Sequence, residues 1–347
     1  MTRQISVGGL PLGGGAPVRI QSMTSVPAED TEATAEQIAR LDEAGCEIVR
    51  VAVRGERDAE AIRVIRERSP MPVVADIHFS ARLAVAAAEN GADKIRINPG
   101  NIGGEKEIRL VADCLKAHGI PVRVGANTGS IEKRFLERYG RSAEALVESA
   151  LYNAAMLERY GVEDIVLSVK ASSVPLTVAA YRMLAARTDH PLHIGVTEAG
   201  TLQSGVVKSA VGIGALLLDG IGDTLRVSLS DDPVEEIYAA KRILRAVNPE
   251  GNFVEVVSCP TCGRCAWDML PLAKEIEERT FREKKRMKIA VMGCVVNGPG
   301  ESADADLGIA GGSGKCVIYK KGTPVLTVPS ADAPAVFRKM VEEMLEE

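Results

Sequence analysis

Eight short β-type runs, residues 18–24, 47–53, 72–79, 94–99, 121–127, 164–170, 191–197 and 223–230, punctuate the first 230 positions of the chain. Between them lie Ala-, Leu-, Glu- and Arg-rich segments with apolar residues at helical spacing, as in 33–44, 81–90, 143–160 and 234–247. Eight β/α units in succession predict a (β/α)8 TIM barrel over residues 1–247. A doubly wound sheet usually has fewer units and needs a Gly-rich dinucleotide loop, whereas Gly13-Gly14-Gly15 precedes the first run and reads as a turn. The helix-breaking stretch Asn248-Pro249-Glu250-Gly251-Asn252 is a linker. Residues 253–347 then form a second, smaller α/β domain, with strands expected at 254–257, 288–292, 315–319 and 324–328 and helices at 268–285 and 333–345.

Alternate residues of a barrel strand face inward, and here the inward set is polar. Arg96 shares a face with Asn98, Asp76 with His78, Arg123 with Asn127, and Ser168 with Lys170. Arg50 lies between Val49 and Val51, and Arg226 and Ser228 alternate with Leu225, Val227 and Leu229. One strand arginine is ordinarily a solvated edge residue. The same pattern in five strands is different, because an inward charge is costly unless it is paired or meets a ligand. The barrel mouth therefore reads as an anion pocket, and several arginines with Lys208 suit a diphosphate, since guanidinium forks bind phosphate oxygens in pairs. Asp76, Glu198 and Glu236 are placed to handle hydroxyl groups or protons. His78 and His193 read either as catalytic groups or as hydrogen-bonded core histidines.

A formal net charge of −5 gives no support to nucleic-acid binding. No apolar run approaches the roughly 18 residues needed to span a bilayer, and Met1-Thr2-Arg3-Gln4 does not begin a signal peptide, so a cytoplasmic protein is expected. Thiols stay reduced there, which makes clustered cysteines evidence for metal or redox chemistry. Of the seven cysteines, four fall in Cys259-Pro260-Thr261-Cys262-Gly263-Arg264-Cys265 and in Gly293-Cys294, each segment entered from a predicted strand. A C-x-x-C pair completed by a distant cysteine indicates a metal or an iron–sulfur cluster, with a structural zinc or unliganded buried thiols as the alternatives. Cys46, Cys114 and Cys316 read as core fillers.

Longer motifs run through both parts of the chain: Val74-Ala75-Asp76-Ile77-His78-Phe79, Arg96-Ile97-Asn98-Pro99-Gly100-Asn101, Thr197-Glu198-Ala199-Gly200, residues 222–229, Cys259-Pro260-Thr261-Cys262, and residues 293–301. Together they resemble the signatures of the bacterial 4-hydroxy-3-methylbut-2-en-1-yl diphosphate synthase family, in its two-domain form. The resemblance implies reductive ring opening and dehydroxylation of 2-C-methyl-D-erythritol 2,4-cyclodiphosphate in the non-mevalonate isoprenoid pathway. It also implies a [4Fe-4S] cluster in the smaller domain, fed by flavodoxin or ferredoxin. Carried onto this chain, the cluster ligands are Cys259, Cys262, Cys294 and Glu301. A carboxylate on one iron is easier for substrate to displace than a thiolate, which suits a catalytic role for Glu301. Cys265 adds a third cysteine at x-x spacing and so a competing ligand.

On this reading Arg50, Arg96, Arg123 and Lys208 hold the diphosphate. Asp76, His78, Asn98 and Asn127 position the rest of the molecule, with Ser168, Lys170, His193 and Arg226 also lining the site, and Glu236 is the candidate proton donor. The competing class is a non-redox TIM-barrel synthase for a phosphorylated or pterin substrate with a structural zinc. The helix after the eighth run returns the chain to the barrel bottom, and a five-residue linker extends to at most about 18 Å. Each smaller domain is therefore expected to cover the mouth of a partner in a head-to-tail homodimer.

Overall fold

The computed structural model describes residues 1–98 and 101–347; Pro99 and Gly100, which fall in the fourth run and its motif, lie outside them. The chain divides into two compact units, Met1–Val247 and Asn248–Glu347. In the first, eight parallel strands form a barrel: Arg19–Met23, Ile48–Ala52, Val73–Asp76, Lys94–Ile97, Val122–Asn127, Ile165–Lys170, His193–Ile194 and Thr224–Leu225. They follow chain order around the sheet, and a parallel bridge between Leu167 and Leu192 joins its two ends.

Local chemistry sets the helix boundaries. Asp30, Ser80, Ser142 and Ser173 each accept a backbone N–H in the first turn of the helix that follows, and Gly45 and Gly119 end helices in the left-handed conformation that costs glycine nothing. One element has no counterpart among the predicted runs. A hairpin of Ile5–Val7 and Leu10–Leu12 packs Ile5, Val7 and Leu12 against Ile48, Val74 and Val166, and so makes an apolar floor at the N-terminal end of the barrel. The charged layers lie above it.

The last two barrel strands are two residues each, shorter than the predicted runs 191–197 and 223–230. The ladder continues by a single bond from Arg226 N to Ile194 O, after which Leu229 N donates to the Glu236 carboxylate instead of to a neighbouring strand. Arg226 and Ser228 thus follow a strand and are not part of one. The third strand likewise ends at Asp76, so His78 sits on the loop beyond it.

The second unit is a five-stranded sheet in the order Val254–Ser258, Met287–Met292, Leu307–Gly311, Lys315–Lys320, Thr323–Pro329. The first three strands are parallel and the last two antiparallel. Helices Leu270–Thr280 and Ala333–Glu346 pack onto its core, the former shorter at both ends than the charged run 268–285. The central strand Leu307–Gly311 and the short helix Gly298–Ala303 are additions to the sequence reading. Gly308 packs against Ser302, close enough that a Cβ there would collide with it, which explains a strand weak in apolar pattern.

Candidate active site

Inside the barrel, Asp76 organises the cations. Its Oδ1 accepts from Arg96 Nη1 at 3.0 Å, while Arg50 Nε stands 3.7 Å and His78 Nε2 3.4 Å from Oδ2. Burial pushes the Asp76 carboxyl up, but Arg50, His78, Arg96 and Arg123 outweigh it and hold the group well below the usual carboxylate range. Asp76 is therefore a fixed anion and not a proton donor. Arg50 also rests on the Met23 sulfur, at 2.8 Å from Nη2, and burial brings it down to about 10 despite Asp76. Gly125 leaves room for Arg96, whose Nε and Nη2 lie 3.3 Å from where a Cβ would be.

Arg123 is the exception to this pairing. It is 2 % exposed, and neither Nε nor Nη1 has a hydrogen-bond partner among the described residues. Burial, then Arg50 and Arg96, push it well below the usual guanidinium range. Lys170 is lowered for the same reasons, by burial and then by Arg123, Arg50, Arg226 and Arg96; Gly195 lets it approach, since a Cβ there would stand 2.7 Å from its Nζ. Ser168 is buried beside them. Asn98 donates to Ser130 O at 3.2 Å, and Asn127 is half-buried at the end of its strand.

Three expected residues are placed differently. Glu236 accepts from Arg226 Nε and Nη2 at 3.0 and 2.9 Å, from Ser22 Oγ at 2.8 Å and from Leu229 N at 3.1 Å. A carboxylate so engaged holds Arg226 and the loop after the eighth strand; the geometry does not present it as a free acid. His193 is fully buried, with Nδ1 2.7 Å from Thr224 Oγ1, and burial followed by Lys170 and Arg123 keeps it neutral. It belongs to the interior below the mouth. Lys208 is exposed, nearly two turns into the helix Leu202–Leu218. His78, by contrast, is half exposed and near both Asp76 and Arg96.

Sequence reasoning missed Lys94. It stands two residues before Arg96 on the same strand face, is fully buried, and its Nζ has no partner among the described residues. The period-two pattern that picked out Arg96 and Asn98 also includes it. Glu198, in the Thr197–Gly200 motif, adopts a left-handed backbone at φ 51°, which is strained for a residue with a Cβ.

In the second unit, Cys259 follows the strand Val254–Ser258 and Cys294 follows the neighbouring strand Met287–Met292, with Ser258 in register with Val291. Thr261, inside the C-x-x-C turn, has φ 48°. Gly293 donates its N–H to Cys259 Sγ at 3.2 Å, and a Cβ at Gly293 would run into the sulfurs of Cys259 and Cys265. The structure thus brings Cys265 alongside Cys259; its Sγ also lies 3.1 Å from Trp267 O. Cys262 is exposed, and the Arg264 backbone N–H and guanidinium bring its thiol down. Glu301 is exposed on the helix Gly298–Ala303.

All seven cysteines are free. Among the described residues no three His, Cys, Asp or Glu side chains are gathered closely enough to hold a metal ion. The donor set nevertheless fits a thiolate-held cluster: it collects soft sulfur ligands at the C-terminal ends of two adjacent strands, around a glycine whose missing side chain leaves room for them. Cys46 is pushed up to about 12 by burial and Cys316 is also buried and raised, whereas Cys114 is only partly covered, near His118.

Two family models cover the chain, the GcpE TIM-barrel domain over residues 2–241 and the GcpE protein C-terminal domain over residues 255–343. A curated 4-hydroxy-3-methylbut-2-en-1-yl diphosphate synthase (flavodoxin) of Caldanaerobacter subterraneus subsp. tengcongensis is 52% identical, across 100% of this chain and 98% of that protein. One of the same name from Fusobacterium nucleatum is 50% identical over 99% and 98%. Among solved structures, a type I 3-dehydroquinate dehydratase of Clostridium difficile matches with a TM-score of 0.52 at 13% identity, over 72% of this chain and 98% of its own, a likeness of fold alone. With matches over nearly its whole length and half its residues shared with curated members, the chain belongs to the GcpE family of 4-hydroxy-3-methylbut-2-en-1-yl diphosphate synthases.

Proposed function

We propose that this chain opens the ring of 2-C-methyl-D-erythritol 2,4-cyclodiphosphate at its tertiary carbon–oxygen bond and removes the C3 hydroxyl as water, releasing (E)-4-hydroxy-3-methylbut-2-en-1-yl diphosphate. The observation that carries the reading in this chain is Arg123, a buried guanidinium with no hydrogen-bond acceptor for Nε or Nη1 among the described residues, in a barrel interior that already holds Arg50, Arg96 and Lys170. Such a surplus of inward cations is stable only where an anion completes it. The names of the curated relatives favour this reading over a non-redox barrel synthase with a zinc tail, whose phosphorylated substrate the same cations would also suit.

The reaction balances as follows. The cyclodiphosphate dianion gains two electrons as the carbon–oxygen bond to the diphosphate breaks, the C3 hydroxyl takes a proton and leaves as water, and the double bond forms. The product diphosphate then carries one more negative charge than the substrate. Arg50, Arg96 and Arg123 bind and orient the anion, and Asp76 fixes Arg96 and stays ionised. His78 holds or hands on the proton at Nε2, since it is the ionisable group left half exposed beside Asp76. Asn98, Asn127, Ser168 and Lys170 bound the rest of the cavity, and Lys208 closes on the diphosphate from the helix after the seventh strand.

A [4Fe-4S] cluster held by Cys259, Cys262, Cys294 and Glu301 would supply the electrons one at a time, with flavodoxin as their donor. The short linker and the returning helix Pro233–Val247 support a homodimer in which each active site combines one chain's barrel with its partner's cysteines. The free thiols suit a reducing compartment such as the cytoplasm.

One experiment tests both parts. Anaerobically reconstituted protein with reduced flavodoxin should convert the cyclodiphosphate to the allylic diphosphate, followed by phosphorus NMR. Arg123→Ala and Cys259→Ser chains should each be inactive and regain turnover when combined. No conversion by the unsubstituted protein would sink the reaction, and conversion without complementation in verified heterodimers would sink the shared site.

A further inference from the structure

Lys94 has no part among the residues assigned to substrate. It stands one inward position below Arg96, next to the apolar floor made by Ile48, Val74 and Val166, and it is completely buried. Its Nζ, the Nε2 of His193 and both ends of the Gln21 amide lack hydrogen-bond partners among the described residues. An apolar side chain would fill this position at lower cost than a lysine with nothing to bind. The groups around it are almost all basic. Arg50 acts on it from the second strand and Arg123 from the fifth, and it acts in turn on His193 of the seventh. Arg96 shares its strand, Lys170 and Arg226 complete the cationic set, and the anions of the interior are Asp76 and Glu236, each already committed to arginines.

Resting on the anion-pocket reading, we propose that Lys94 is an internal counter-charge for the diphosphate, taking up a proton when the anion binds and releasing it when the product leaves. The protonated amine is disfavoured while Arg123 faces it alone and favoured once a diphosphate offsets Arg50, Arg96 and Arg123. Burial, and after it Arg123 and Arg50, bring the free amine down to about 7, so in the empty pocket it changes charge near neutrality. Ring opening adds a negative charge to the diphosphate, and Lys94, one inward position below Arg96, is able to answer with a positive one. It is a positioning residue: it shares an electrostatic field with Arg50, Arg123 and His193, and acts on the substrate through that field.

The test is calorimetric titration of the holoenzyme with inorganic pyrophosphate at about pH 8, in buffers of differing ionisation enthalpy, which counts protons taken up on binding. The unsubstituted protein should take up as much as one proton more than Lys94→Met, and its affinity should weaken with rising pH by up to about tenfold per unit beyond the slope of the variant. Pyrophosphate's own ionisation cancels in that difference. Folding is checked independently. Because the folded state lowers Lys94 from 10.5 to about 7, the unfolded chain binds more protons between those values, so stability rises with pH across that window; Lys94→Met should lose this rise and melt no earlier. Equal proton uptake in both proteins, or uptake abolished by His193→Gln and not by Lys94→Met, overturns the inference while leaving the anion pocket intact. No binding of pyrophosphate to the unsubstituted protein overturns the pocket and this inference together.

Discussion

The barrel interior and the cysteine end of the smaller unit meet the same problem, holding reactive polar groups in place, by opposite means. In the barrel, the groups come from strands buried on both faces, and their positions follow from the sheet register: Arg96 stands opposite Arg123, and Asp76 opposite Arg96. Among the described residues Asp76 and Glu236 are hydrogen-bonded to arginines, whereas Arg123 Nε and Nη1 and Lys94 Nζ have no partner. At the cysteine end the donors sit on loops beyond strand ends. Cys262 and Glu301 are exposed, and no three donors converge among the described residues. A barrel site of this kind is organised by folding, whereas the cysteine site, on the function proposed above, would be completed by the cluster it holds. A buried charge set pays its electrostatic cost in advance, which is how preorganised sites gain their advantage. Thiols on loops leave the final geometry to metal–sulfur bonds.

The largest expected effects come from breaking the second region. Cys259→Ser, Cys262→Ser and Cys294→Ser should each abolish the broad visible absorption of the anaerobic protein together with its turnover, because the remaining donors cannot hold the cluster. The far-ultraviolet spectrum should change little, since Cys262 and Cys294 lie outside the core that supports the sheet and Cys259 only packs against its edge, half-buried. Cys265→Ser decides the open position. It should keep colour and turnover; if it bleaches the protein and Cys294→Ser does not, the sulfur that lies alongside Cys259 is the ligand in place of Cys294.

The two regions also differed in how readable they were. The barrel was legible because eight apolar runs alternate with helices, and because Arg96 and Asn98, or Ser168 and Lys170, break the apolar pattern on a single face. Ion pairing was not. Nothing in the spacing of Arg226 and Glu236 says that a helix residue captures a guanidinium ten positions back, so the sequence alone suggests an acid at Glu236 and a strand residue at Arg226. Lys94 was overlooked because a charged residue at the start of a run looks like a strand boundary; only full burial without a partner sets it apart. In the second unit the cysteine motifs were plain. The strand Leu307–Gly311 was hidden by two glycines, one packed against Ser302 and the other beneath Trp267.

A smaller effect, of opposite sign in two measurements, sharpens the view of the barrel. Arg123→Ala should weaken pyrophosphate binding tenfold or more, corresponding to loss of a charge-assisted contact of about 1.5 to 3 kcal/mol. Arg123→Met should lose binding similarly yet unfold at a higher temperature, because it removes an unpaired buried cation and fills the space. A fall in melting temperature with binding unchanged would make Arg123 a structural residue. Arg96 should not behave this way: its bond to Asp76 is satisfied within the protein, so Arg96→Met should cost stability by leaving a buried carboxylate short of a partner.

The smallest expected effect on stability belongs to Lys208, and it separates contact with ligand from contact with the fold. Its side chain is exposed on the helix Leu202–Leu218, with Val207 and Val211 of the same helix also facing solvent. No ion pair among the described residues involves it. An exposed substitution of this kind changes stability by no more than about 0.5 kcal/mol, so Lys208→Ala should melt with the unsubstituted protein. Any loss of diphosphate affinity in that variant then reports on the ligand alone. Its salt dependence is diagnostic, because the ammonium approaches from water and is screened at physiological ionic strength, whereas Arg123 is not. Raising the salt concentration should therefore erase the difference between Lys208→Ala and the unsubstituted protein and leave the Arg123→Ala defect in place. If both defects faded together, the distinction between a preorganised interior and a solvent-exposed rim of the pocket would be lost.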